Sequence, residues 1–350
     1  MSVSPFDHPL LSALLGDEDT ARVFSVNAEV AAMVTVERAL AEAEASEGVI
    51  RPAAARVIGA ALDSFTPDMG RLRAGVARDG MMVPELVKQI REGVADQYRA
   101  EVHFGSTSQD ITDTALVLRL KPVVAGFDNQ LGELVDRLAA LEAKFGKRPL
   151  MGVTRMQRAI PIEVGDRALA WRQPLERHRE RLRSVSEALL SVQFGGPAGT
   201  LEKLGGKGPA VRKRLAALLG LADRQQWHSQ RDSPAEFASW LSLVTGSLGK
   251  FGGDVALMAL AADEIKLSGG GGSSAMPHKQ NPVGAEALVT LARFNAVQLS
   301  GMHGTLVSEM ERSGVSWTLE WLLLPQMVVA TAGALRLALK LVGQMEDIGG

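Results

Sequence analysis

Cysteine is absent from the 350-residue sequence, and its absence excludes several kinds of site. The chain cannot form a disulfide scaffold, ligate zinc or an iron–sulfur cluster through thiolates, or use a thiol nucleophile. An excess of charge of one sign is also missing, because 38 Lys and Arg residues face 40 Asp and Glu residues and the formal net charge is −2. This balance argues against a nucleic-acid partner bound through bulk positive charge.

Aromatic residues and membrane signals are scarce as well. Aromatic residues make up 5% of the chain and hydrophobic residues 46%, so the apolar content is mainly aliphatic and favours helices over aromatic-rich sheets. The longest apolar stretch near the C-terminus, Trp321–Leu335, is interrupted by Pro325 and Gln326 and is shorter than the roughly 20 residues that span a bilayer. Residues 1–10 contain no Lys or Arg, unlike a secretory signal. The sequence therefore predicts a soluble cytoplasmic protein without a membrane partner.

Apolar periodicity is the strongest positive signal. Apolar residues recur in steps of three and four, the spacing of one helix face, in three segments. Two further segments have a less regular apolar pattern and are also predicted to be helical, which makes five helices. Most of them would be much longer than the average helix of about 12 residues, which is typical of a coiled-coil-like bundle. Pro122 lies inside the first helix and is expected to kink it. The five predicted helices cover residues 116–145, 164–192, 237–265, 282–306 and 322–342.

The chain before this bundle is more broken. One clear helix is predicted from about Val26 to Glu47, with Ser25 as its N-cap, and shorter helices should follow between prolines and glycines. We therefore expect two domains, a helical start over 1–110 and the long-helix bundle over 111–350. Long helices that are apolar on more than one side often bury the second side against another subunit, so we also expect an oligomer.

The first of three polar segments, His103–Ala115, places the hydroxyls of Ser106, Thr107 and Ser108 just before a predicted helix start. Hydroxyls and backbone N–H groups at a helix N-terminus bind carboxylates well. Ordinary helix capping is the more frequent use of such residues. The segment alone leaves both interpretations open.

The second polar segment, Met151–Pro161, carries Arg155, Gln157 and Arg158 in a loop at a predicted helix entrance. Guanidinium groups bind carboxylates through two parallel hydrogen bonds. Solvated surface arginines are the alternative, and the spacing does not decide between the two.

The third polar segment, Ser268–Pro282, has four glycines after Ser268 and continues with Ser273, Ser274, Ala275 and Met-Pro-His-Lys-Gln-Asn-Pro. Glycine runs are typical of flexible linkers. The residues that follow are dense in specific polar groups, so a glycine-hinged loop that closes a serine over a substrate is the other interpretation.

Motifs for metal or phosphate binding do not emerge. The six histidines show no metal-type pair on one helix face, and Gly205–Gly208 lacks the spacing of a phosphate-binding loop. His178 lies in the apolar stripe of the second predicted helix and is expected to be a core histidine. We therefore expect no metal site.

Taken together, the three segments resemble the fumarase/aspartase superfamily. Residues 272–282 resemble its signature, and Thr107–Asp110 and Thr154–Pro161 resemble its two other conserved regions, in the same order. The resemblance implies an all-α fold with an elongated central five-helix bundle, which forms a 20-helix core in a homotetramer. It also implies active sites shared among three subunits. A small third helical domain, usual in relatives, is expected to be absent.

The resemblance also implies roles for individual residues. The family adds or eliminates groups beside a carboxylate, through a carbanion delocalised as an aci-carboxylate. By resemblance Ser273 is the proton-transfer residue, while Lys279 and Asn281 stabilise the carboxylate; neither a metal nor an organic cofactor is implied. The implied substrate-binding residues are His103, Ser106, Thr107, Ser108, Gln109, Arg155, Gln157, Ser274, Met276, Glu286, Arg312 and Trp317.

Differences from the family pattern indicate which branch of the family the chain resembles. The family's usual His after the threonine of the second region is Arg155 here, while the matching Glu is present as Glu286; we expect an ion pair between them to replace the acid/base relay. Residues 311–321 and 194–201 resemble the lactone-forming branch. That branch implies a cycloisomerase whose small tricarboxylate substrate adds its own carboxylate across a C=C bond. The alternatives are a C–N lyase similar to adenylosuccinate lyase and a non-catalytic structural oligomer.

Overall fold

The protein is described by a computed structural model that covers residues 3–261, 263–272, 274–276 and 279–349, and it is mostly helical. The helices before the bundle are α1 (Ser12–Leu15), α2 (Glu18–Val23), α3 (Val26–Ser46), α4 (Pro52–Asp63), α5 (Met69–Asp79) and α6 (Val83–Glu92). Those that follow are α7 (Ser108–Phe145), α8 (Val164–Leu189), α9 (Gly208–Leu219), α10 (Asp232–Ala261), α11 (Val283–Gly304) and α12 (Gly314–Gly343). Two 3-10 helices cover Asp96–Glu101 and Glu202–Lys207.

The five predicted long helices are confirmed as α7, α8, α10, α11 and α12, with ends that differ by up to eight residues. α3 is confirmed as well, and the Ser25 hydroxyl accepts a hydrogen bond from the Ala28 N–H as its cap. The apolar stripes of the long helices meet in one core, which includes Leu131, Trp240 and Leu335. His178 is buried in that core, and its Nε2 lies 2.8 Å from the Ser247 hydroxyl, as expected of a core histidine.

Helix α12 corrects one expectation. The apolar stretch Trp321–Leu335 was expected to be too short to span a bilayer, but it lies within α12, which runs through Pro325 and Gln326 over 30 residues. By length and composition alone it could cross a membrane. However, two thirds of its most apolar window is buried inside the protein, as in the core helix of a folded domain.

A second apolar cluster holds the N-terminal helices together. Met33 and Leu40 of α3 pack there with Leu86 of α6. Phe194 and Leu215, which follow α8 in the chain, belong to the same cluster. The N-terminal body is therefore completed by a later stretch of the chain that leaves the bundle and packs against α3.

Two small antiparallel sheets accompany the helices, and the sequence prediction missed both. β1 (Pro149–Thr154) pairs with β2 (Gln157–Glu163), where a loop was expected, and β3 (Ile265–Leu267) pairs with β4 (Met345–Ile348). Most residues of the first hairpin are exposed, so no alternation of apolar and polar residues marked it as a strand pair. Its turn places Arg155 and Met156 at positive φ values of 48° and 63°.

Glu44 of α3 gives a testable pH dependence. Its carboxyl group is fully buried, and neither oxygen has a hydrogen-bond partner among the described residues. Burial, with a smaller contribution from Glu37 and Glu101, raises the pKa of Glu44 to about 9. The unfolded chain ionises this group near its ordinary pKa while the folded chain keeps it protonated. Stability should therefore fall as the pH rises from about 4.5 towards 9, by about 3 kcal/mol at neutral pH.

We expect Glu44→Gln to remove this slope and to raise the free energy of unfolding at neutral pH. Urea unfolding measured across the pH range checks this, at one fixed protein concentration. Glu42→Gln, on the exposed side of the same helix, is the matched control. Parallel stability–pH curves for wild type and Glu44→Gln would contradict the prediction.

Candidate active site

Asp110 fixes the first polar segment at the start of α7. Its carboxylate accepts a hydrogen bond from the Thr107 N–H at 3.0 Å, and together with the Thr107 side chain this forms a capping box. The N–H groups of Gly195 and Gly196 also donate to it, each at 2.9 Å, and His228 Nε2 lies 2.8 Å away. Asp110 is 1% exposed. The capping interpretation of this segment is thus confirmed, and the cap anchors the hydroxyl segment to two other parts of the chain.

A second buried network lies one helical turn further along α7. Arg231 Nη1 donates to Asp113 at 2.7 Å and its Nε donates to Glu320 at 2.8 Å; each of the three residues is at most 2% exposed. Burial raises the pKa of Glu320, an effect that Arg231 partly offsets. The network ties the start of α7 to the start of α12.

Two predicted substrate-binding residues belong to this network. Trp317 is 3% exposed, and its indole N–H donates to Asp113 Oδ1 at 3.0 Å. The Gln109 side-chain amide donates to Asp113 at 3.1 Å and to the His228 carbonyl at 3.0 Å. Both side chains have their N–H groups engaged inside the protein, so an effect on a bound substrate would act through the network.

Accessible cationic and hydroxyl groups meet at this end of the bundle, where Glu309 and Glu311 are exposed as well. Arg312 is exposed, and its guanidinium donates a hydrogen bond to the Thr107 hydroxyl. Ser106 and Ser108 flank this contact and are partly exposed. His103, three residues before Ser106, contacts Glu37 on α3. The structure thus brings Arg312 to the hydroxyl segment although the two are far apart in the sequence, and a guanidinium beside hydroxyls can hold a carboxylate.

The second polar segment lies at the hairpin turn between α7 and α8. Arg155 and Arg158 line a cavity of about 480 Å³ together with Arg167, Lys250, Asp254 and Glu264. Gln157 is exposed on β2. Arg158 pairs with Asp263 just beyond the end of α10, at 3.3 Å. Arg167 and Lys250 are paired as well, with Glu264 and Asp254. Arg155 is therefore the cation of this cavity without an ion-pair partner among the described residues, and it is left for an anionic ligand.

A backbone bridge joins the two ends of the third polar segment. Gly271 and Asn281 exchange two backbone hydrogen bonds, at 2.9 and 2.8 Å. Beyond this bridge Lys279, Ser274 and Met276 are exposed. Ser273, the predicted proton-transfer residue, lies outside the described residues. Glu286 is exposed in the first turn of α11.

Within a single chain, the first polar segment lies far from the second and third polar segments. α7 starts at the first segment and ends just before the hairpin, and its 38 residues span about 57 Å at 1.5 Å per residue. The hairpin cavity and the cavity beside Gly269–Gly271 contain no residue of the first segment. Arg155 and Glu286 form no ion pair in the described part of a single chain, so their expected pairing would require another subunit.

The site residues that the sequence reasoning missed are Glu37, Asp113, Arg231 and Glu320, and Asp110 had no assigned role. Most of these are charged groups inside apolar surroundings. Glu37 follows Met33 by four residues and precedes Leu40 by three, so it lies on the buried face of α3. A carboxylate within an apolar stripe was the signal that could have identified it.

Comparison with known proteins identifies the family of the chain. Residues 17–297 match the family described as Lyase, so the chain belongs to this lyase family, and the predicted resemblance to the fumarase/aspartase superfamily is confirmed. The chain is 41% identical over 332 residues to the 3-carboxy-cis,cis-muconate cycloisomerase of Pseudomonas aeruginosa. This alignment covers 93% of the chain and 72% of the Pseudomonas aeruginosa protein. The chain is 39% identical to the Pseudomonas putida protein of the same name, over 90% of this chain and 77% of that one.

A solved structure is similar over nearly the whole chain. It is the 3-carboxy-cis,cis-muconate lactonizing enzyme from Pseudomonas putida, with a TM-score of 0.90 and 37% identity. The match covers 97% of this chain and 77% of that one. The long helices and the helical N-terminal body described above are therefore the architecture of this family.

Proposed function

We propose that the protein is a cofactor-independent cycloisomerase that converts 3-carboxy-cis,cis-muconate to 4-carboxymuconolactone in protocatechuate breakdown. The observation that carries the proposal is the similarity to cycloisomerases of this name over more than nine tenths of the chain. The cationic and hydroxyl groups at both ends of the bundle support it, since they suit a polyanionic substrate.

The reaction needs little from the protein except position and charge. One carboxylate of the substrate attacks the activated C=C bond, forming the C–O bond of a five-membered lactone. The electron pair of that double bond moves to the adjacent carbon as an aci-carboxylate, which then takes up a proton. Because the attacking carboxylate is already ionised and belongs to the same molecule, no general base is required for attack and alignment supplies much of the rate.

The proposed roles follow this scheme. Ser273 delivers the proton to the carbanionic carbon, and Lys279 and Asn281 stabilise the developing dianion of the aci-carboxylate. The remaining carboxylates of the substrate are held by two groups of residues. Arg312 and the hydroxyl segment form one group, and Gln157 and Arg155 of the second polar segment form the other.

We infer that a homotetramer assembles this site, with one polar segment from each of three subunits and a 20-helix core built from the five long helices of each chain. The separation of the segments by the length of α7 supports this inference. Exposed apolar side chains on three long helices support it as well: Leu260 is 81%, Val297 72% and Leu322 61% exposed. Such residues are expected to be buried between subunits. Arg155 and Glu286 from different chains would then be able to pair.

The test is the loss of diene ultraviolet absorbance when 3-carboxy-cis,cis-muconate is added to the purified protein. Disappearance of the absorbance, with lactone as the product, is expected. Turnover of adenylosuccinate without change in the muconate would establish the lyase alternative, and turnover of neither compound would favour a structural oligomer.

A further inference from the structure

Glu37 and His103 form a buried pair beside the hydroxyl segment. Glu37 Oε1 lies 2.6 Å from His103 Nδ1, and the Glu37 side chain is 2% exposed. Its neighbours on the same face of α3, Met33 and Leu40, are buried in the N-terminal apolar cluster. A carboxylate in such surroundings costs free energy unless it is paired, so Glu37 depends on His103 as its partner.

The backbone and the hydrogen bond together restrict the His103 ring. His103 has a φ of 60°, in the left-handed region that few residues other than glycine occupy. Its Nδ1 is engaged by Glu37, while Nε2 has no hydrogen-bond partner in the part of the chain that the structure describes. The His103 side chain is 13% exposed. The side chain is therefore partly accessible close to the hydroxyl segment, and Nε2 is the ring nitrogen left for a ligand there.

Charged groups from three elements face the imidazole. Burial lowers the pKa of His103, as does Arg91 of α6, but Glu37 of α3 and Asp110 of α7 more than offset them, and the pKa lies above its ordinary value. Glu44, the other buried carboxyl on α3, stays protonated at neutral pH because burial raises its pKa to about 9. Of the carboxylates near the ring, Glu37 is the one in direct contact with it, and Asp110 adds a smaller effect.

We propose that Glu37 is a positioning residue for the tricarboxylate substrate: it accepts the Nδ1–H of His103, fixes the ring and balances its charge, so that Nε2–H donates to a substrate carboxylate. This rests on the proposed function. A hydrogen bond from an imidazolium to a carboxylate is stronger than one from a neutral ring, and a substrate with three carboxylates gains from another cation beside Arg312.

The test is Glu37→Gln, in which the side-chain amide oxygen still accepts from Nδ1–H while the negative charge is lost. We expect KM for 3-carboxy-cis,cis-muconate to rise about tenfold at about pH 8, with kcat changed less than about twofold. The decline of 1/KM with rising pH should begin at lower pH than in the wild type. Glu44→Gln is the control, since it changes a neutral buried group on the same helix and should leave this pH profile unchanged.

A purely structural role for Glu37 predicts a different result. Glu37→Gln would then lower kcat or stability but leave the pH at which 1/KM declines unchanged, and that outcome overturns the proposal. A measurement without substrate tests the role of Glu37 independently of the proposed function. ¹⁵N NMR of histidine-labelled protein follows the protonation of the His103 ring, and His103→Gln assigns its signal. A lower His103 pKa in Glu37→Gln supports the pair, an unchanged one overturns it, and failure of the wild type to convert the muconate counts against the proposed function alone.

Discussion

Replacing Ser273 with alanine should lower kcat for 3-carboxy-cis,cis-muconate by about 10²–10⁴-fold, the range for loss of a group that transfers a proton. Lactone closure leaves a carbanionic carbon that must be protonated, and Ser273 is the group assigned to that step. KM should change little, because the carboxylates are held by other residues. Steady-state loss of diene absorbance measures both constants.

Ser274→Ala is the matched control, because it removes a hydroxyl from the same loop one residue away. It should affect KM more than kcat, as expected of a residue that contacts bound substrate. If Ser273→Ala keeps the kcat of the wild type, Ser273 has no role in proton transfer.

The length of α7 allows a sharper version of this experiment. Suppose that a site combines Ser273 of one subunit with Arg312 of another. Mixed tetramers of Ser273→Ala and Arg312→Ala chains would then contain some sites in which both residues are wild type. Random reassembly of equal amounts should leave about a quarter of the sites with both segments intact. The mixture should then recover about that fraction of wild-type kcat/KM, whereas a site within one chain would recover none.

The long helices could be predicted because each of them must bury one stripe against the same core. That requirement acts along the whole helix, so the three- and four-residue steps remain visible even where Pro122 or Pro174 lies within a helix. The hairpin over residues 149–163 buries little of its surface. Local turn geometry and backbone pairing shape it instead, and neither leaves a periodic pattern.

The sequence suggested the segments of the candidate site but not their geometry. The resemblance assigned roles to individual residues, yet it did not reveal that Asp110, which was only part of a motif, holds the hydroxyl segment to Gly195 and His228. Nor could it show that Trp317 is buried. Arg231 contacts residues 118 positions before it and 89 positions after it, and such pairings leave no local signal in a single sequence.

Arg231→Met should be the most destabilising of the substitutions considered. It preserves much of the side-chain volume but leaves Asp113 and Glu320 buried without their cation. Removing one partner of a buried ion pair costs about 3–5 kcal/mol, so the free energy of unfolding should fall by about that amount. Urea unfolding at a fixed protein concentration measures it.

The same substitution on the surface provides the comparison. Arg137 pairs with Glu133 on the exposed side of α7, where the two side chains are 45% and 50% exposed, and such pairs contribute at most about 1 kcal/mol. Arg137→Met should therefore change stability only slightly. The triple variant Asp113→Asn, Arg231→Met and Glu320→Gln should recover part of the loss, because no buried charge is then left unpaired. Equal effects of Arg231→Met and Arg137→Met would mean that the network does not stabilise the fold. The coupling between the starts of α7 and α12, on which the placement of Arg312 beside Thr107 depends, would then have to come from apolar packing alone.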